Sequence, residues 1–263
     1  MNKKIIFVGN DARNRYHESI TKSLRWIHVS LAAVVVISLL VPLIWGSRIF
    51  NKAQDISNVA LISTYSGSGS GVYIGNGMLL TAAHVVDGMS INDVVDVSFF
   101  DPNQSNRAII ESEAILICSG NWKDEVYSEE EWVANLSQDF ALLQLANRQI
   151  DHLLKPCVLS NSDNVKVQDK ITAVGFPNGV YSSTDGTINN ITGGISRNND
   201  IIIVNAGAWP GNSGGALLDE KGTLIGLVNN TGNKTSQEAS GQTLALKINR
   251  IRMELNSKGY LIQ

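Results

Sequence analysis

Charge is scarce in this sequence, and neither sign dominates. Asp, Glu, Lys and Arg make up 17% of its 263 residues, with a formal net charge of -3, so there is no broad basic field to hold a nucleic-acid backbone. Aromatics are only 6% of the chain and are not interleaved with Lys/Arg clusters, which sets nucleic-acid binding aside. Cysteine is nearly missing. Cys118 and Cys157 lie far apart and in no C-x-x-C, which excludes a dithiol redox motif or a zinc ribbon; two buried free thiols are expected instead. For the two cysteines a disulfide, permitted in an oxidising compartment, is the weaker alternative. Histidine occurs four times, as His17, His28, His84 and His152. Without a neighbouring Cys or carboxylate cluster, that is too few for a zinc-hydrolase site, and no metal or cofactor is expected.

Glycine is what the chain has in quantity, 23 residues, set between short β-branched and aliphatic runs. VALIS (59–63), GVYIG (71–75), MLLTA (78–82), VVDVSFF (94–100), RAIIESEAILI (107–117), FALLQLA (140–146), KITAVGF (170–176), IIIVNA (201–206) and TLIGLVNN (223–230) alternate with Gly/Asn/Asp turns. Strands of this length and spacing indicate an all-β protein, a sandwich or barrels. Helical periodicity is confined to 248–258, where Ile248, Ile251 and Leu255 recur at i, i+3 and i+7 as on one face of a closing helix. Residues 101–138 carry eight Asp/Glu against Arg107 and Lys123, the pattern of a solvated loop or short helix.

One long apolar run interrupts this scheme. Residues 26–45, WIHVSLAAVVVISLLVPLIW, contain no charged side chain and as a helix would extend about 30 Å, enough to cross a bilayer. Trp26 and Trp45 sit at its ends, where the headgroup layer favours such rings. Six Lys/Arg precede it, against Arg48 and Lys52 just after it, which predicts a cytoplasmic segment 1–25 and an extracytoplasmic remainder. The 25-residue leader and the GSRIF that follows fit an uncleaved anchor better than a removed signal peptide. A tether over 46–56 and a globular part over 57–263 complete the expected organisation.

Serine hydrolysis of a peptide needs a nucleophile, a base, a group to orient the base, and donors for the oxyanion. On the outer side of the anchor only His84 and His152 can serve as base. His84 follows an apolar strand in LLTAAHVV and is favoured over His152, which reads as a surface histidine. In PGNSGGAL (210–217) glycines on both sides of Ser213 let the backbone turn sharply, with the N–H groups of Gly211 and Ser213 available to an oxyanion. Asp139 opens the apolar strand DFALLQLA, and a carboxylate held in so dry a place needs a partner; Asp87 is the weaker rival.

Taken together, GSGSGVYIGNGMLLTAAHVV (67–86), DFALLQL and WPGNSGGALLDEKGTLIGLVNN (209–230) resemble the trypsin-like (chymotrypsin-fold) serine proteases, most closely the HtrA-type branch. The likeness runs over about residues 57–258. It implies two six-stranded antiparallel β-barrels, about 57–150 and 157–247, then the helix 248–258. It implies a triad of His84, Asp139 and Ser213, and an oxyanion hole at Gly211 and Ser213. Substrate-binding positions would be Gly207 at the base of the primary pocket and Leu227, Val228 and Asn229 on the strand that pairs with substrate. It further implies extended or unfolded polypeptide substrates, a periplasmic or cell-surface setting with a part in quality control or stress signalling, and homo-oligomers of the kind related enzymes often form. Three departures are visible. No stretch after the closing helix offers a PDZ domain. The His84–Asp139 gap is 55 residues, longer than that branch usually shows. The histidine motif reads TAAH, as in classical trypsin-like enzymes. All three triad residues are retained, which favours an active enzyme over a silent peptide-binding module.

Overall fold

A computed structural model describes residues 18, 21, 22, 56–103, 107–123, 128–191, 200–207, 209–229 and 242–262. The chain divides into two compact units, Met1–Gln54 and Asp55–Gln263, and every strand among the described residues lies in the second. Among the described residues no helix is long and apolar enough to cross a membrane; the run 26–45, and the span expected of it, lie outside them.

The second unit is built from two closed barrels. The first comprises β1 (Val59–Thr64), β2 (Gly67–Gly75), β3 (Met78–Thr81), β4 (Val94–Phe100), β5 (Ala108–Ser119) and β6 (Ala141–Leu145), in the order β1-β2-β3-β6-β5-β4. Helix α1 (Glu129–Leu136) interrupts the β5–β6 connection. The second barrel comprises β7 (Lys170–Gly175), β8 (Ser182–Asn190), β9 (Ile201–Val204), β10 (Ala216–Asp219), β11 (Leu224–Asn229) and β12 (Thr243–Lys247), in the order β10-β11-β12-β9-β8-β7. All twelve strands pair antiparallel. Counted from its own first strand, each barrel has the same circular order. Closure leaves no edge strand open to another chain.

Period-two patterning decides which side chains fill each barrel. In β4, Val95, Val97 and Phe99 are buried while Val94 and Asp96 face out. The same alternation puts Ile62, Leu79, Leu116 and Leu143 inside the first barrel, and Ile171, Ile188, Ile202 and Ile225 inside the second. The hairpin between β2 and β3 turns through Gly75, Asn76 and Gly77, all with positive φ (96°, 53° and 68°), a conformation that glycine and asparagine accept most readily.

A third apolar cluster lies between the barrels. Phe100 from the first and Phe176 from the second meet with ring centroids 5.0 Å apart, among Leu80, Leu142, Leu224 and Leu246. The expected closing helix is present as α2 (Ile248–Ser257), and its stripe of Ile248, Ile251 and Leu255 is wholly buried against this seam. Each such side chain contributes about 1.5–3 kcal/mol when removed from water. Cys118 and Cys157 are both free and buried, and burial pushes the Cys157 thiol up to about 11, leaving it unreactive at neutral pH.

Candidate active site

The expected base, His84, and its expected partner, Asp139, are brought together by strand register. β3 pairs with β6 so that Thr81 lies opposite Ala141. The chain leaves β3 through a short 3-10 turn, Ala83–Val86, which carries His84, while Asp139 stands just before β6. The two side chains therefore meet at adjacent strand ends. His84 Nδ1 lies 2.7 Å from Asp139 Oδ2, and the His84 backbone N–H donates to Asp139 Oδ1 at 2.9 Å. Asp139 has no exposed surface, so both of its oxygens are spoken for by one residue and the need for a partner is met. The imidazole keeps 19% of its surface exposed. His152 lies exposed in the turn Arg148–Leu153, away from this pair. Asp87 is exposed too, and the bond it makes to His84 is through its backbone N–H.

Ser213 comes from the other barrel, on a turn shaped by two glycines with positive φ, Gly211 (103°) and Gly214 (80°). Asn212 N–H donates to Trp209 O at 3.0 Å, Gly215 N–H to Asn212 O at 2.9 Å, and Gly214 N–H to Val228 O at 2.7 Å. A Cβ on Gly214 would collide with Ser70 O and Thr81 Oγ1, so only glycine permits the turn to seat this deeply. That close approach places the Ser213 loop against the strand end from which His84 departs. Ser70 N–H adds a bond to Ser213 O at 2.8 Å.

Two backbone donors beside Ser213 are left without an acceptor among the described residues. Pro210 O accepts from Asn178 N–H at 3.0 Å; in a trans peptide the Gly211 N–H then points the opposite way. Within the described residues neither the Gly211 nor the Ser213 N–H has an acceptor, and Ser213 is 8% exposed. Two free donors beside a serine hydroxyl can stabilise a developing oxyanion.

The remaining expected positions divide. Gly207 is half-buried with open space where a Cβ would stand, and the preceding Ala206 carbonyl accepts the Thr243 hydroxyl. Leu227 and Val228 face another fate. Each is paired to β10 or its loop on one side and to β12 on the other, and Val228 spends its N–H on Gly215 and its carbonyl on Gly214. Neither offers a backbone edge to a bound chain, because the serine loop already occupies it. Asn229, the last residue of β11, pairs with Leu244 of β12. The sequence reading also missed two contacts. The Trp122 ring, from the acidic segment, lies 5.8 Å from that of His84 at 48°, and the buried Ser70 hydroxyl joins the barrels next to Ser213.

Comparison with known proteins bears on the family and the fold. A family model described as a trypsin-like peptidase domain matches residues 69–227. The curated relatives include the serine protease Do-like HtrA of Bacillus subtilis (strain 168), 26% identical over 235 residues, covering 83% of this chain and 44% of that protein. The probable periplasmic serine endoprotease DegP-like of Buchnera aphidicola subsp. Baizongia pistaciae is 28% identical over 261 residues, covering 88% of this chain and 50% of that protein. The chain thus spans half or less of the length of these relatives. Among solved structures, an inactive form of the Rv3671c protease of M. tuberculosis superposes with a TM-score of 0.54 at 21% identity, covering 81% of this chain and 95% of that one. The HtrA-type protease AlgW with tripeptide gives 0.54 at 24% identity, covering 81% and 62%. At these identities the structures speak for the fold.

Proposed function

The chain belongs to the trypsin-like peptidase family, and from that membership we propose that it is a serine endopeptidase with Ser213 as nucleophile, His84 as general base and Asp139 as orienter. The observation that carries this reading is the 2.7 Å contact between His84 Nδ1 and a fully buried Asp139. A carboxylate there holds a proton on Nδ1 and leaves Nε2 unprotonated, free to accept the hydroxyl proton of Ser213. Ser213 Oγ attacks the scissile carbonyl, the N–H groups of Gly211 and Ser213 stabilise the oxyanion, and His84 returns the proton to the departing amine. Water then hydrolyses the acyl-enzyme with His84 again as base. A fluorophosphonate probe should label the wild-type chain and not Ser213→Ala, with peptide hydrolysis lost in parallel. A folded wild type that takes no label would point to a binding module instead.

Extended or unfolded polypeptides are the proposed substrates, and Gly207, which puts no carboxylate at the base of the primary pocket, favours small or medium apolar side chains on the acyl side of the cut. The apolar run 26–45 and the charge difference across it support a single-pass anchor with the protease on the periplasmic or outer face, acting in quality control or stress signalling. Protease added to spheroplasts should then digest residues 46–263 and spare a small membrane fragment; full protection would reverse the orientation.

A further inference from the structure

Two loops of the second barrel are tied to one side chain of the first. Ser70, on β2, has no exposed surface. Its Oγ–H donates to Gly211 O at 2.7 Å, and Phe176 N–H donates to the same Oγ at 2.9 Å. The direction of this chain of bonds is fixed. The Phe176 N–H can only donate, so Oγ must accept from it, and the single hydroxyl proton is left for the Gly211 carbonyl. Gly175 packs close against this hydroxyl, since a Cβ there would lie 2.9 Å from Ser70 Oγ.

What this hydroxyl holds is the residue that supplies one of the two oxyanion donors. Gly211 sits at φ 103°, and a glycine adopts either sign of φ at little cost, so its own stereochemistry does not fix the turn. The fixing comes from outside. Asn178 N–H anchors the peptide before Gly211 through Pro210 O, and Ser70 Oγ anchors the peptide after it through Gly211 O. With both carbonyls held, the Gly211 N–H has one direction left to it.

We infer that Ser70 is a positioning residue for catalysis: its buried hydroxyl, reaching from the first barrel, locks the Gly211 turn of the second in the orientation that presents the oxyanion donor. This rests on the protease reading above. The role is electrostatic preorganisation, in which a donor is worth most when it needs no reorientation as charge develops.

The test compares full-length wild type with Ser70→Ala in turnover of a peptide substrate and in inhibition by a peptide aldehyde of the same sequence, whose hemiacetal oxygen occupies the oxyanion site. Ser70→Ala should lower kcat by about tenfold to a hundredfold and weaken the aldehyde by a similar factor, with KM within about threefold of wild type. A merely structural role would leave that split absent, since a partly unfolded sample loses active sites without changing kcat per labelled site or aldehyde affinity. Rates are therefore scaled to sites titrated with the fluorophosphonate. Should Ser70→Ala fail to fold, Ser70→Cys keeps a weaker donor in place and should show the same paired loss, at about threefold or more. Kinetics and aldehyde affinity within about twofold of wild type in either folded variant would overturn the inference while leaving the protease reading intact. A folded wild type that neither labels nor cleaves would overturn that reading, and this inference with it.

Discussion

Asp139 gives both of its oxygens to His84, and that double attachment makes the effect of replacing it specific. An asparagine amide in its place would still accept from the His84 backbone, but the NH2 would face Nδ1 and force the proton onto Nε2. In Asp139→Asn the imidazole could then no longer receive the Ser213 proton, and kcat should fall about a thousandfold or more while the melting temperature changes little. Steady-state kinetics beside a thermal melt checks this; a rate within about tenfold of wild type would mean the orienter is another group. Gly207 carries a second residue-scale expectation. A peptide library should be cut after small or medium apolar residues, with only about tenfold to two-hundredfold separation between neighbours differing by a methylene. A profile dominated by Arg and Lys would contradict it. The proposed triad could be picked out of the sequence because each member stands out locally: a serine between glycines, a histidine after an apolar strand, an acid fused to one. Ser70 was not. Its partner Gly211 is 141 residues away, and nothing about a serine among glycines announces a hydroxyl shared by two barrels.

Helix α1 and its approach show what an inserted element can do for a site it does not itself enter. The acidic segment leaves β5 at Gly120, where a Cβ would run into Gln138 O, so the outgoing and returning strands touch at the base of the excursion. Further along, the Asn135 side chain grips the backbone of Lys123 twice, accepting from its N–H at 2.7 Å and donating to its carbonyl at 2.8 Å. The residue before that grip is Trp122, packed on His84. Asn135→Ala should loosen the indole and lower kcat/KM about threefold to tenfold, consistent with two hydrogen bonds worth ~0.5–1.5 kcal/mol each. Trp122→Ala should do the same, and the double variant should lose little more than either alone. Additive losses in that cycle would show the clamp and the ring acting separately. At this scale the strands and α2 were readable from their periods of two and 3.6, and this holds for RAIIESEAILI (107–117) inside the charge-rich stretch, which forms most of β5 with Ala114, Leu116 and Cys118 alternating inward beneath the charges. What the charge run of 101–138 did not disclose was the contact between Trp122 and His84.

For the molecule as a whole, strand spacing alone left sandwich and barrel open; the circular order and its closure depend on pairings between distant segments that composition does not encode. The layout has a consequence for how activity can be lost. His84 and Asp139 belong to one barrel and Ser213 to the other, and what joins them is the apolar seam around Phe100 and Phe176, with α2 laid across it, together with the hydrogen bonds of Ser70. In the proposed mechanism the reaction centre is a coincidence circuit: each barrel holds its own core and half of the chemistry, and current flows only while the two are in contact. Slipping by about an ångström along the seam would open the circuit without unfolding either half, since misplacement on that scale can cost about a hundredfold in rate. In rising urea, hydrolysis should therefore fail at lower concentration than the far-ultraviolet circular dichroism of the strands. Ile251→Ala, which hollows the seam without touching either barrel's interior, should widen that interval; coincident curves in both proteins would mean that the barrels and their contact give way as one.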